Sequence, residues 1–207
     1  MRNVLANQDG RAGCADSLLD RLFTAQELNP EGLESVQGEA LSPFQRVLLV
    51  MDGTVTQVLE AHTGEAIDIR RLDQGRRSLE AEDRWLKAGP GEAVIDRKVL
   101  LQGQNTGRPY VYATSTIVVE RLPADVQQGL TEPGSGLGRL LARSRLETYR
   151  ERLWYGAQAE GADPEASRWL EANLLLSRTY RIFSQGRPLM LISEKFSGSV
   201  DATGSGP

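Results

Sequence analysis

The chain has 207 residues, a formal charge of -4 and 40% hydrophobic residues, values that fit one domain with one core. An acidic balance, with pI near 5.2, argues against a nucleic-acid surface, which shows as a basic excess on one face. Cys14 is the only cysteine and His62 the only histidine, so an internal disulfide, structural zinc and a multi-histidine metal centre are all excluded.

The N-terminus, MRNVLANQDGRAGCADSLLD, carries acidic and polar residues where a signal peptide needs ~7 to 15 continuous apolar ones. No stretch approaches the ~18 apolar residues of a membrane span. The expectation is a cytoplasmic monomer without a membrane span or nucleic-acid partner.

Ser17 to Phe23 forms a short helical pattern after an Asp16 cap, and NPEG follows as a loop. Ser42 and Pro43 open a second helix that ends near Met51, because Gly53 breaks its pattern. The β-branched Thr54, Val55, Thr56 and Val58 then predict a strand from Thr54 to Glu60, turned through His62 to Glu65 into a partner strand from Ala66 to Leu72. His62 reads as an ordinary polar-turn residue. Arg71 to Gly91 is charged and loop-like, with a short helix around Leu79 to Leu86.

One pattern occurs twice: a strand opening on arginine, a Gly-Arg-Pro turn, and a second apolar strand. The copies are DRKVLLQGQNTGRPYVYATSTIVV and SRTYRIFSQGRPLMLISEKF. Each predicts a hairpin, since glycine supplies a positive-φ turn position and proline sits where no ladder donor is needed. With the earlier pair they give about six antiparallel strands.

Between the copies, Leu122 to Gly129 reads as a short helix, and TEPGSGLGRLL as a Gly-rich approach to a helix beginning near Leu137. The glycines at 134, 136 and 138 match neither a phosphate loop nor the dinucleotide fingerprint, so no nucleotide cofactor is expected. Leu146 to Gly156 fits helix and strand alike. ADPEASRWLEANLLL carries a helix opened by Asp163 and Pro164, and SGSVDATGSGP is expected to be a disordered tail.

Strand alternation puts Arg97 on the face of Ile95, Val99 and Leu101, and Glu194 on the face of Met190, Ile192 and Phe196. Both charges therefore point inward. Burying an unpaired charge costs several kcal/mol, so the two either pair with each other or await a ligand. An arginine fork suits a carboxylate, and a glutamate in apolar surroundings becomes useful as an acid. Arg178 shares the face of Tyr180 and Ile182 and is either a further cation or a strand-end residue at the rim.

The run VMDGTVTQVLEAHTGEAIDIRRL, the strand IDRKVLLQ with its partner GRPYVYATSTIV, the Leu137-Gly138-Arg139 helix start and the closing GRPLMLISEKF together resemble the chorismate lyase family. The resemblance runs from about Met51 to Phe196. It implies an α+β fold, a six-stranded antiparallel sheet flanked by helices, with a ligand pocket under helical flaps, and it makes Leu146 to Gly156 a strand. The implied organisation is an N-terminal helical extension over 1–40, a lyase-like domain over 41–196 and a tail over 197–207.

By the same resemblance the substrate is chorismate and the products are 4-hydroxybenzoate, destined for prenylquinone (ubiquinone or plastoquinone) synthesis, and pyruvate. Arg97 would hold the product carboxylate, Glu194 would meet the phenol hydroxyl, and backbone groups at Met51 and Leu137 would complete the site. Arg97 and Glu194 are then the catalytic pair, with no metal or cofactor required, because restoring an aromatic ring already drives the elimination. The competing reading is a non-catalytic effector-binding domain of the same fold.

Overall fold

The computed structural model describes residues 14–132, 134–159, 161–172 and 174–197. Six strands form one sheet: β1 (Ile67–Ser78), β2 (Ala93–Gly103), β3 (Pro109–Val118), β4 (Tyr149–Ala159), β5 (Leu174–Ser184) and β6 (Arg187–Ser197). Their order is β1-β2-β3-β6-β5-β4, and every pairing is antiparallel. The two Gly-Arg-Pro hairpins are β2–β3 and β5–β6, and they meet along β3 and β6 at the centre of the sheet. The α+β architecture and the six-stranded antiparallel sheet agree with expectation.

Among the described residues six α-helices accompany the sheet: α1 (Cys14–Leu22), α2 (Pro43–Val50), α3 (Val55–Thr63), α4 (Ala124–Gly129), α5 (Leu137–Arg143) and α6 (Pro164–Leu170). None among the described residues is long and apolar enough to cross a membrane. A reciprocal capping box opens α2, with the Ser42 side chain accepting from the Gln45 backbone and the Gln45 side chain accepting from the Ser42 backbone. The Asp163 carboxylate accepts from the Ala166 N–H at 3.0 Å to open α6, which ends where Glu171 turns left-handed at φ 49°. Leu174 therefore starts a strand, where one helix through Leu176 was expected.

The expected strand from Thr54 to Glu60 is instead α3, and its hairpin with Ala66 to Leu72 does not form. Thr54 keeps an extended backbone at the N-cap, Gly64 closes the helix at φ 73°, and Val55, Thr56 and Leu59 are buried at helical spacing. That burial outweighs the weak β preference of the branched residues. β1 pairs with β2 instead and runs on to Ser78, through the charged stretch expected to be a loop. Its position explains the composition: an edge strand makes its ladder with backbone groups and tolerates charges outward.

The expected helix from Leu79 to Leu86 is a series of turns. Asp83 Oδ1 accepts from the Trp85 and Leu86 N–H groups, and Leu79, Leu86 and Ala88 bury against Val94 and Val118. Helix α1 begins at Cys14, ahead of the expected Asp16 cap. Leu19 and Phe23 of the N-terminal segment join the same apolar cluster as Leu48, Leu59 and Phe196. The expected disordered tail, apart from Ser197, lies outside the described residues.

Candidate active site

On one face of the sheet, cross-strand partners line up in rows. One row is Leu101, Val111, Phe196 and Leu176; the next is Val99, Ala113, Glu194 and Arg178. The third is Arg97, Ser115, Ile192 and Tyr180, and the fourth is Ile95, Ile117, Met190 and Ile182. The outer rows are wholly apolar. Within β2, β3, β6 and β5 the inner two carry every charge, and β3 contributes only Ala113 and Ser115 to them, which leaves space between Arg97 on β2 and Glu194 on β6.

Helices α2 and α3 cover one end of this face and α4 and α5 the other, each pair with its own apolar cluster. The cavity lies in the seam, lined by residues that include Thr54, Val55, Ile69, Arg97, Leu137, Arg150, Tyr180, Ile192 and Glu194. Its empty space, mouth included, is about 650 Å³, within the ordinary span of small-molecule sites. Glycines bring the roof close: a Cβ on Gly136 would meet Ile69 Cδ1 at 2.5 Å, and one on Gly138 would meet Thr54 Cγ2 at 2.1 Å. The Gly-rich approach is thus a means of close packing over β1 and α3.

Arg97 and Glu194 both face this cavity, but they do not pair with each other. Glu194 Oε2 receives the Nε and Nη2 of Arg178, each at 2.7 Å, and its Oε1 accepts from the Tyr180 hydroxyl at 3.0 Å. Burial, and then the neighbouring Glu194 carboxylate, push the Tyr180 phenol above its ordinary value, so it stays a donor. Glu194 is therefore the carboxylate of a closed ion pair.

Arg97 has no such answer. It is 3% exposed, its Nη2 donates to the Ser135 carbonyl, and its Nε is buried without a partner. No carboxylate among the described residues pairs with it. Burial, aided by the positive charge of Arg71, pushes this guanidinium down to about 10. Gln74, its cross-strand neighbour on β1, likewise leaves its Oε1 buried and unsatisfied. A buried cation short of acceptors is suited to an incoming carboxylate.

A second cluster of arginines grips the end of α2. Arg178 Nη1 donates to the Leu49 and Met51 carbonyls at 3.4 and 3.1 Å, Arg152 Nη2 to Val50 at 2.7 Å, and Arg150 Nη1 to Asp52 at 2.6 Å. The last carbonyls of a helix have no intrahelical donors and carry its negative pole, so guanidinium groups suit them. Arg178 thus ties the helix end to Glu194 in one side chain.

Leu137 lines the cavity at the start of α5. Met51 stands beside the lining: its N–H bonds to Val47 as the α2 cap and its carbonyl to Arg178. His62 lies on α3 with its ring stacked on Phe44 at 3.6 Å, away from the lining. Among the described residues no three His, Cys, Asp or Glu side chains gather into a metal-holding cluster. Sequence reasoning left the partner of Glu194 open and passed over Tyr180 as a donor and Arg150 as a lining residue. Alternation along β5 already put Arg178 and Tyr180 on one face, but which residue of β6 stands opposite Arg178 is set by the turn and by the register shift at Ile182/Phe183, which alternation alone does not show.

Comparison with known proteins gives two kinds of likeness. Solved structures that share the fold include the effector domain of PhnF from Mycobacterium smegmatis, at TM-score 0.57 and 12% identity over 73% of this chain and 92% of that one, and the possible transcriptional regulator YydK from Bacillus subtilis, at TM-score 0.54 and 12% identity over 86% and 69%. At that identity the likeness is one of fold alone. In sequence, the chorismate pyruvate-lyase of Mycobacterium leprae is 32% identical over 162 residues, 75% of this chain and 74% of its own. That of Mycobacterium tuberculosis is 29% identical over 168 residues, 75% and 80% of the two chains. The Rv2949c-like chorismate pyruvate-lyase model matches residues 49–203, which hold every lining residue of the cavity. The chain belongs to the Rv2949c-like chorismate pyruvate-lyase family.

Proposed function

We propose that the protein eliminates pyruvate from chorismate and forms 4-hydroxybenzoate. The observation that carries this reading is the buried guanidinium of Arg97, unanswered by any described carboxylate and facing Glu194 across the small side chains of β3. Strand spacing of ~4.8 Å puts two strand steps between them, room for a six-membered ring between two side chains. The ring carboxylate binds Arg97, and Leu137 at the head of α5 closes over it.

The ring hydroxyl, para to the carboxylate, then meets Glu194. In the reaction the ring loses the proton at the hydroxyl-bearing carbon, the adjacent carbon–oxygen bond to the enolpyruvyl group breaks, and the ring electrons become aromatic. The departing fragment takes up one proton as pyruvate. With Arg178 and Tyr180 both donating to it, Glu194 serves as an acceptor that orients the hydroxyl and polarises the adjacent proton, and Tyr180 keeps it aimed. Enclosure by both helix pairs makes product release a slow step.

Incubation with chorismate and separation of the products tests the reading. Expected are equimolar 4-hydroxybenzoate and pyruvate, with Glu194→Gln lowering kcat by ~10²- to 10⁴-fold while product binding persists. Arg97→Ala should lose both. Binding without turnover would favour the effector-domain reading, and a different aromatic acid would mark another enzyme of the same chemistry. Unchanged kinetics in either variant would refute the site.

A further inference from the structure

Chorismate carries two carboxylates, and Arg97 answers one. Among the described residues three arginines line the cavity: Arg97, Arg139 and Arg150. Arg139 is half-exposed and already paired with Glu60 at 2.9 Å. Arg150 is different. It stands on β4 opposite Ile182, in line with the fourth cross-strand row, so its side chain rises on the cavity face beyond Tyr180 and Glu194. Its Nη1 donates to the Asp52 carbonyl, its Nε is buried without a partner, and no carboxylate among the described residues pairs with it.

From this placement we infer that Arg150 is the second anion anchor, binding the carboxylate of the ether-linked three-carbon group. The inference rests on the reading that the cavity takes a ring acid with its carboxylate on Arg97. That orientation sends the para hydroxyl to Glu194 and the adjacent ether past it, toward β4. The ether's carboxylate then needs a cation at that end of the cavity, and Arg178, the nearest alternative, is occupied on every side by Glu194, Leu49 and Met51. Arg150 has donors to spare and sits within electrostatic reach of the Tyr180 hydroxyl. It also holds the carbonyl just ahead of Gly53 and Thr54 in the cavity wall, so ligand and wall would be gripped by one guanidinium.

The test compares a stable diacid with a monoacid. 3-(1-Carboxyethoxy)benzoate presents both carboxylates on an unreactive ring, and 4-hydroxybenzoate presents only the first. Titration calorimetry on the wild type, Arg150→Gln and Arg150→Lys should show that glutamine weakens the diacid by about 10- to 100-fold, the worth of a charged hydrogen bond. The same change should leave 4-hydroxybenzoate within about threefold, and lysine should recover part of the diacid affinity. Equal weakening of both ligands would overturn the inference, because Arg150 would then act only through Asp52, and so would an unchanged diacid affinity. Arg150-dependent diacid binding in a protein that leaves chorismate intact would support the second anchor and refute the lyase.

Discussion

Arg97 and Arg178 rise from the same face of one sheet and are equally buried, at 3% and 2% exposure, yet their charges are met in opposite ways. Arg178 has its acid beside it and spends its remaining donors on the end of α2. Arg97 has one carbonyl and an orphaned Nε. The difference separates a charge already met from one left open: Arg178 serves to hold Glu194 and the end of α2 in place, and on the proposed reading the open guanidinium of Arg97 is the one free to take a ligand. Burial alone says neither.

The largest effect should come from opening the closed pair. Arg178→Met leaves Glu194 buried and unmatched, and thermal or denaturant unfolding should register a loss of about 3 to 5 kcal/mol. Adding Glu194→Leu should return much of that stability while activity stays lost. The shortfall would report the carbonyls of α2 that Arg178 no longer holds. A single variant as stable as the wild type would dissolve the contrast.

Arg97→Met should do the reverse. It removes a buried charge with no carboxylate partner, so the free protein should gain about 1 to 3 kcal/mol even as 4-hydroxybenzoate binding disappears. The sign with pH sharpens this. The folded-state value of Arg97, about 10, lies below the ordinary arginine value. Above pH 10 the folded chain releases a proton that the unfolded chain still holds, so wild-type stability rises with pH there, relative to the methionine variant. The advantage of Arg97→Met should be full below pH 10 and shrink above it in paired unfolding curves.

The smallest expected effect lies in the roof. Gly138→Ala would drive a methyl group into Thr54, forcing α5 and α3 apart at a cost of about 1 kcal/mol. The expected readout is faster release of 4-hydroxybenzoate in stopped-flow displacement, with Arg178 and Glu194 undisturbed. No change in release would mean that the roof is not what retains the product.

Much of this arrangement was legible before any coordinates. The two Gly-Arg-Pro hairpins declare themselves by turn chemistry and period-two patterning, and the same alternation turned Arg97 and Glu194 inward. It failed at Thr54 to Glu60, where β-branched residues suggested a strand and the burial of Val55 and Leu59 made a helix. It failed again at β1, whose charged half earns its place through backbone pairing with β2 and leaves no apolar trace.

The sequence by itself determined which strands form the central hairpins and which charges their inner faces carry, because turn residues and alternation act over a few neighbours. Only the tertiary structure decided which charge meets which. The register of β5 against β6 sets Arg178 on Glu194, and the separation of β2 from β6 leaves Arg97 open. The first pairing lies within one hairpin, 16 residues apart, but the second depends on β3 standing between β2 and β6, and it is the packing of the sheet that leaves Arg97 without an acid.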